Sequence, residues 1–501
     1  MPLEEQVGQL LCCGWQDEGH AHRLIDELRL GGLILFARNV RPAAEMAAVL
    51  ARFQARAATP LLVGVDQEGG VVARFETPGL VFPGNMALGA LGDPMLCAAV
   101  GEAIGRQLAA MGVNINFAPV LDVNNNPANP VIGVRSFGDD PQTVAALGMA
   151  MQRGLRAGGV LPVVKHFPGH GDTAVDSHHA LPVQPADRRR LERVELLPFR
   201  AAAGVPALMT AHIRFPALDP NWPATLSPRI LTGLLRQEIG FRGLVFTDCL
   251  EMAGMANWSP EERGWRALAA GADVLLVSHT WETQRRIAAG VRAAVARGDL
   301  PEERVADAAR RVADAKRALG LFDPPSEGAG AAAIVGADEF RRLEAEVAAR
   351  SITVVGGAAR LPLAPGARIL CCGPALLASS LARSLAAAGW PTTALEWQRG
   401  ELLPEGWRAA GPADAVIWLA LPREPLPDAP ARRATLRRLR EHPLVIVAAM
   451  REPYLLADLT EADVRLAVYS PREPSLQGLA AVLVGQMRPE GRLPVTLSTI
   501  H

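Results

Sequence analysis

The feature that most limits what this chain can fold into is a regular alternation of short apolar runs with amphipathic segments over its first 320 residues. Eight of the runs have the length and near-continuous apolar character of buried parallel strands. They are residues 9–15, 32–36, 61–66, 113–119, 161–166, 207–212, 244–248 and 273–278. The segments between them have helical periodicity. Eight such units predict an α/β fold that begins with a (β/α)8 barrel of the TIM type.

A second unit follows a stretch rich in Pro, Gly and Ser after Asp323. Six further strands are predicted at 351–355, 368–372, 392–397, 415–419, 443–449 and 464–469, with helices between them. We therefore expect a barrel domain over 1–323, a linker over 324–345 and an open α/β sandwich domain over 346–501. No Gly-x-Gly-x-x-Gly or Walker pattern opens any of the later helices, so nothing in the sequence supports nucleotide binding.

Composition and charge exclude several classes of protein. Lys and Arg number 51 against 52 Asp and Glu, so the chain lacks the positive surplus of a general nucleic-acid binder. No run approaches the roughly 20 apolar residues of a transmembrane helix. The acidic start is unlike a secretory signal, and a cytoplasmic location is expected. Four of the six cysteines form adjacent pairs in apolar runs, Cys12-Cys13 and Cys371-Cys372, which favours buried thiols over disulfides.

Charged or titratable residues stand at the carboxyl ends of many barrel strands. Those ends gather around one mouth in a TIM-type barrel, where active sites lie. One such residue is most often an ordinary loop group, but several together predict a site. The residues are Asp66, Asp122, Lys165, His166, His212, Asp248 and, after the eighth strand, His279.

Lysine is scarce in this chain, because 49 of the 51 basic residues are arginine and only Lys165 and Lys316 remain. Lys165 stands beside His166 at the end of an apolar strand, where a compact ammonium suggests a specific role. Lys316 falls on the polar face of a helical segment. We interpret it as an ordinary surface residue.

Four of the ten histidines fall within residues 165–179, and three interpretations of this segment stay open. His166 and His170 could bind zinc, although Pro168-Gly169 between them opposes the helix that would place both on one face. The segment could also be a loop that satisfies its own backbone. Alternatively, Asp176 could fix the tautomer of His178, so that this imidazole exchanges protons as a general acid.

Asp248 stands at the carboxyl end of the predicted apolar strand 244–248 and would be held rigidly at the barrel mouth. A carboxylate in that position suits a nucleophile. An aspartate at a strand end also commonly caps the following helix, so both interpretations are kept.

Several motifs in order along the barrel resemble glycoside hydrolase family 3, and within it the β-N-acetylglucosaminidase branch. They are Asp66-Gln67-Glu68-Gly69-Gly70 with Arg74, residues 129–138 with Arg135, the segment from Lys165 to His178, and Thr247-Asp248 with Met252. The second unit resembles the C-terminal α/β sandwich of the family more loosely, through residues 491–496.

The resemblance implies a retaining exo-β-N-acetylglucosaminidase that hydrolyses terminal β-linked GlcNAc by way of a glycosyl-aspartate. Asp248 would be the nucleophile, and His178, oriented by Asp176, the acid/base. Family substrate contacts map to Asp66, Arg74, Arg135, Lys165 and His166. To these we add Asp122 and His212 from their strand-end positions.

The resemblance also sets expectations about partners. The substrate would be a small GlcNAc-containing carbohydrate, in the cell a muropeptide fragment from peptidoglycan recycling. We expect no metal, cofactor, nucleic acid or membrane partner, and no acid supplied by the second domain. A monomer is compatible with the sequence, which does not set the oligomeric state. The alternatives are a β-N-acetylglucosaminide phosphorylase or β-glucosidase of the same family, then a metal-dependent hydrolase or a non-catalytic sugar-binding module.

Overall fold

The computed structural model describes residues 1–174, 180–323, 330–398, 403–421 and 429–497. Its first part is a closed barrel of parallel strands. The strands are β1 (Leu11–Gly14), β2 (Gly32–Leu35), β3 (Leu62–Val65), β4 (Ile115–Asn116), β5 (Leu161–Pro162), β6 (Val164–Phe167), β7 (Ala207–Thr210), β8 (Leu244–Phe246) and β9 (Leu275–Val277).

Two hydrogen-bonded groups of strands make up this barrel, in the orders β5-β4-β3-β2-β1-β9 and β6-β7-β8. β5 and β6 form a single strand position interrupted at Val163, whose N–H lies within hydrogen-bonding distance of two carbonyls, those of Asn116 and Ala118. Parallel bridges from Val120 to Lys165 and from Phe246 to Val274 close the ring. The predicted TIM-type fold is confirmed.

The fourth strand is shorter than the predicted run 113–119, because two asparagine side chains replace part of its backbone pairing. Asn114 Oδ1 accepts the Val63 N–H at 2.8 Å, and its amide nitrogen donates to the Leu61 carbonyl. Asn116 bonds the backbone of Gln67 in the same two-way manner. These side chains fix the end of β3 and therefore the start of the loop that carries Asp66.

Helices surround the barrel, and several begin at aspartates whose side chains accept backbone N–H groups, as at Asp93, Asp140 and Asp187. The α-helices are Leu3–Gln9, Glu18–Leu28, Ala43–Arg56, Asn85–Leu91, Pro94–Ala110, Pro141–Ala157, Arg188–Arg193, Leu197–Ala201, Pro260–Ala270, Trp281–Arg297 and Glu302–Ala318, and Arg229–Glu238 is a π-helix. Within the described residues, no helix combines the length and apolar character needed to cross a membrane.

The second sheet contains β10 (Thr353–Gly356), β11 (Ile369–Pro374), β12 (Thr392–Trp397), β13 (Ala415–Ala420), β14 (Val445–Ala449) and β15 (Val464–Ala467). Its order is β10-β15-β14-β13-β11-β12, with β10 antiparallel to β15 and the other pairs parallel. Alternate residues enter two hydrophobic clusters on opposite faces, so both faces are buried, as a doubly wound sheet requires. The helices of this part are Ala331–Ile334, Asp338–Arg350, Leu377–Ala387, Ala429–Leu439 and Glu473–Leu483.

The two parts share packing. The helix Asp338–Arg350 begins inside the predicted linker and continues past residue 345, and its Phe340 and Val347 pack in the barrel cluster. In turn, four barrel residues pack in one of the second sheet's clusters, namely Met86, Ala87, Ala90 and Val134. The division at residues 323 and 345 stays a prediction.

The interpretation of Lys316 as a surface residue is wrong. Its side chain is buried, and its ammonium donates to Gln9 Oε1 at 2.7 Å. Burial lowers the pKa of Lys316 to about 7. All six cysteines are buried and unbridged, in agreement with the sequence.

Candidate active site

A cavity of about 320 Å³ opens at the carboxyl ends of the barrel strands. Its polar lining comes from the strand ends and the loops that follow them, and consists of Asp66, Glu68, Arg74, Arg135, Lys165, His166, His170, Asp248, Ser278 and His279. Its apolar lining is Ile34, Phe36, Val72, Val131, Met209, Met252 and Leu276, with Cys249. Every described residue that lines the cavity precedes residue 280.

An alternating chain of charges forms one side of the cavity. Lys165 is 2% exposed, and its ammonium lies 2.7 Å from Asp66 Oδ1 and 2.7 Å from Glu68 Oε1. Arg135 donates through Nε and Nη2 to the two oxygens of Glu68, each at 2.9 Å. Such a bidentate ion pair fixes the orientation of the guanidinium as well as its position.

These neighbours keep the buried groups ionised. Burial alone would raise the pKa of Glu68, but Arg135 and Lys165 hold it well below its usual range. Burial alone would lower the pKa of Lys165, but Asp66 and Glu68 raise it above its ordinary value. The pKa of Arg135 is raised in the same way, chiefly by Glu68. The cavity therefore presents two fixed cations that can donate hydrogen bonds to a bound ligand.

His166 is oriented by a carboxylate behind it. Its Nδ1 lies 2.6 Å from Asp122 Oδ2, and Asp122 Oδ1 accepts the backbone N–H groups of His166 and His170. Burial would raise the pKa of Asp122, but interactions with His166 and His170 hold it below its usual value. The ionised Asp122 favours the tautomer of His166 that carries its proton on Nδ1. The other ring nitrogen, Nε2, faces Arg135 and lies 3.4 Å from its Nη2.

His170 is fixed close to His166. The two rings meet edge to face with centroids 5.8 Å apart, and His170 Nδ1 lies 2.8 Å from Thr173 Oγ1. Burial lowers the pKa of His170 to about 4, so this ring is neutral at pH 7. Among the described residues, no group of three His, Cys, Asp or Glu is placed to hold a metal ion.

Asp248 follows β8 and is partly exposed in the cavity. The Cys249 N–H donates to Asp248 Oδ1 at 2.7 Å, and the Thr247 hydroxyl accepts the N–H of Leu276. The next helical turn, Ala253–Met255, begins five residues later, so its start lies too far along the chain for Asp248 to cap it. The structure therefore does not support the interpretation of Asp248 as a helix cap.

The predicted site residues divide into three groups. Asp66, Arg74, Arg135, Lys165, His166 and Asp248 line the cavity together. Asp122 and His212 lie behind it. His212 is buried, with Nδ1 2.8 Å from Thr225 Oγ1 and Nε2 3.0 Å from the Cys249 carbonyl, so it braces the turn after Asp248. Asp176 and His178 lie outside the described residues.

Sequence reasoning did not name Glu68 as a site residue and considered His170 only as a possible zinc ligand, although both lie inside the motifs that carried the resemblance. The signal for Glu68 was a carboxylate two residues after Asp66, on the same side of an extended segment. Arg74 was named, and the structure places its Nη2 3.5 Å from Asp66 Oδ2.

Residues 2–315 match the N-terminal domain of glycosyl hydrolase family 3. The chain belongs to this family. Among curated proteins, this family 3 chain is similar to beta-hexosaminidase A of Pseudoalteromonas piscicida, with 38% identity over 380 residues that cover 69% of the chain and 63% of that protein. It is also similar to a beta-hexosaminidase of Thiobacillus denitrificans, with 42% identity over 264 residues, 51% of the chain and 73% of that protein.

Among solved structures, the family 3 chain is similar to a glycoside hydrolase family 3 beta-N-acetylglucosaminidase from Paenibacillus sp. str. FPU-7. The TM-score is 0.91 at 37% identity, and the alignment covers 100% of both chains. The match to the Pseudoalteromonas protein, in contrast, spans just under two thirds of that protein's length.

Proposed function

We propose that this family 3 glycoside hydrolase is a retaining exo-β-N-acetylglucosaminidase. The observation that carries the proposal is one small cavity in which the Asp248 carboxylate shares the lining with Lys165, Arg135 and His166. A volume of about 320 Å³ is at the lower end of ligand sites and suits one terminal sugar ring. The full-length similarity to a β-N-acetylglucosaminidase supports the identity of that sugar.

The two halves of the cavity lining suit the two sides of this substrate. Lys165 and Arg135 donate hydrogen bonds, and Asp66 accepts them, as ring hydroxyls require. Apolar side chains such as Met209 and Met252 offer a surface for the methyl group of the N-acetyl substituent.

In the proposed reaction Asp248 attacks the anomeric carbon as the bond to the leaving oxygen breaks, giving a glycosyl ester. His178, oriented by Asp176, gives its proton to the leaving oxygen and then takes one from the water that opens the ester. The assignment of His178 and Asp176 rests on the family resemblance. A neutral imidazole does not repel the Asp248 anion as a second carboxylate would, and its ordinary pKa near 6.5 matches neutral pH.

The function is tested with para-nitrophenyl β-GlcNAc and the matching β-glucoside, each with and without inorganic phosphate. We expect release of free GlcNAc at a rate that phosphate does not change, with the glucoside a poor substrate. Sugar 1-phosphate as the only product would overturn hydrolysis in favour of the phosphorylase. Loss of activity in chelator would point to the metal-dependent alternative.

The nucleophile is tested by Asp248→Asn, whose amide cannot form the ester. We expect kcat to fall by at least about 10³-fold, with the fold retained. The exposed Asp299→Asn is the matched control and leaves kcat unchanged. A fluorinated glycosyl inhibitor should label the wild-type protein at Asp248. A label on another residue would refute the assignment.

For the natural substrate we propose GlcNAc-containing muropeptide fragments from peptidoglycan recycling in the cytoplasm, a role that the family resemblance suggests. It is tested by comparing kcat/KM for such a fragment with that for chitobiose. A strong preference for chitobiose would point to chitin fragments instead.

A further inference from the structure

The loop that carries Arg135 runs between the barrel and the second domain, and the second domain contacts it at several points. Val134, directly before Arg135, is buried in a hydrophobic cluster built mainly from residues after 369. Gly133 lies so close to Glu452 that a β-carbon at this glycine would stand 2.2 Å from Oε1 of the glutamate. The loop is therefore packed against the second domain on the side away from the cavity.

The start of the loop is fixed by a buried hydrogen bond between the domains. Asn124 donates through Nδ2 to the hydroxyl oxygen of Tyr454 at 2.7 Å. The Asn124 backbone N–H donates to the Gly138 carbonyl at 2.9 Å, which joins the start of the loop to its end. The Ser136 hydroxyl lies within hydrogen-bonding distance of two carbonyls, those of Asp122 and Gly138. A shift of Asn124 is thus transmitted to the residues on either side of Arg135.

The end of the loop is held by the last described segment of the chain. The Asp139 N–H donates to the Pro494 carbonyl at 3.0 Å, and the Thr496 N–H donates to Asp139 Oδ2 at 2.7 Å. From the barrel side, Arg135 is held through Glu68, and its carbonyl accepts from Asn85 Nδ2 at 2.7 Å. The loop is fixed from both domains.

We propose that the second domain holds the Arg135 loop in its substrate-binding position, and that Tyr454 is the positioning residue through which it does so. The described residues of the second domain supply no lining to the cavity. The contacts of the second domain with the Arg135 loop described above are made at Asn124, Gly133, Val134 and Asp139. Because we place Arg135 among the groups that bind the sugar and not among the reacting groups, we expect a loosened loop to raise KM more than it lowers kcat.

The sequence offers a matched control, because the chain contains two tyrosines. Tyr469 is also buried in the second domain, and its hydroxyl donates to Thr353 Oγ1 at 2.7 Å, wholly within that domain. Tyr454→Phe and Tyr469→Phe each remove one buried hydroxyl and one hydrogen bond. Both are therefore expected to lower Tm by a similar few degrees.

The experiment measures KM, kcat and amide hydrogen exchange across residues 131–138 in the full-length wild type and both variants. We expect Tyr454→Phe to raise KM about fivefold or more, to leave kcat within about twofold and to speed exchange in the loop. Tyr469→Phe should leave KM and the loop exchange unchanged. An unchanged KM in Tyr454→Phe, or an equal rise in both variants, overturns the proposal.

The kinetic part of this test rests on the proposed function, whereas the exchange part does not. If the wild-type protein fails to hydrolyse para-nitrophenyl β-GlcNAc, the proposed function fails and the exchange data alone decide. In that case faster loop exchange in Tyr454→Phe, and not in Tyr469→Phe, supports the positioning role. Equal exchange in the three proteins refutes it.

Discussion

Glu68 is the residue on which the cationic side of the cavity depends, because it separates two buried positive charges. Its carboxylate bonds both Lys165 and Arg135, whereas Asp66 reaches Lys165 from the other side. The repulsion between Lys165 and Arg135 lowers the pKa of the lysine, and the two carboxylates outweigh it.

Glu68→Gln removes one of those carboxylates and keeps the shape. The pKa of Lys165 should then fall, since the repulsion from Arg135 stays and only Asp66 opposes it. We expect kcat/KM to drop about tenfold or more at pH 7. Binding of GlcNAc, which in the proposed site depends on the Lys165 ammonium and not on the proton of His178, should weaken at lower pH than in the wild type. The measurements are kcat/KM at pH 7 and the Kd of GlcNAc from pH 7 to pH 11.

Glu344→Gln is the control for this pH profile. Glu344 is also buried, but it accepts the backbone N–H groups of Gly79 and Val81, outside the cavity. The pH dependence of GlcNAc binding by the Glu344→Gln variant should match that of the wild type. A Glu68→Gln enzyme whose GlcNAc binding weakens at the same pH as in the wild type would contradict the proposed role of Glu68.

The sequence indicated which single residues belong to the site, but not which other side chains they contact. Lys165 could be predicted because lysine is rare here and this one ends an apolar strand. The role of Glu68 could not, because it depends on three separate chain segments meeting at one point. The burial of Lys316 was missed for a related reason, since its acceptor, Gln9, is 307 positions away.

Among the elements, the segment after β6 determines how the chain approaches the acid/base residues proposed at 176 and 178. Asn129 Nδ2 donates to the carbonyls of His170 and Gly171, both at 2.8 Å. A β-carbon at Gly171 would stand 1.7 Å from the Val123 carbonyl oxygen, so only glycine fits there.

Gly171→Ala should therefore displace this segment. We expect a fall in kcat of about tenfold or more and a lower Tm, because neither the Val123 backbone nor the loop can yield without breaking contacts. Gly204→Ala, at a position with nothing within 4 Å of the added carbon, is the control and should leave both quantities unchanged. Normal turnover by Gly171→Ala would show that the segment can shift freely.

The elements themselves could largely be predicted, because apolar strands alternating with amphipathic helices allow few arrangements. Two features could not be predicted. The interruption at Val163 and the π-helix Arg229–Glu238 come from how neighbouring strands and turns fit, which local periodicity does not encode. The strand order of the second sheet was likewise visible only in the structure.

At the scale of the whole molecule, the hydrophobic cores of the barrel and the second sheet share residues where the two parts meet. Met86, Ala87, Ala90 and Val134 of the barrel pack among residues of the second sheet, and Phe340 and Val347 pack in the barrel cluster. If either domain unfolded alone, apolar surface of the other domain would be exposed to water.

We therefore expect a single calorimetric unfolding transition for the full chain, with equal calorimetric and van't Hoff enthalpies. Val134→Ala, which leaves a cavity in the shared cluster, should lower the Tm of that one transition by a few degrees. Two resolved transitions, of which Val134→Ala shifts only one, would show instead that the domains unfold independently.

The six buried cysteines can report when different parts of the molecule open to solvent. Burial raises the pKa of Cys12 and Cys371 to about 12 and that of Cys249 to about 11, so each sulfur is protonated as well as covered. Cys249 alone among the six lines the mouth of the barrel. A thiol reagent should therefore modify Cys249 during local opening of the barrel mouth, and the other five cysteines only when the protein unfolds. The two rates of modification then distinguish local opening from unfolding.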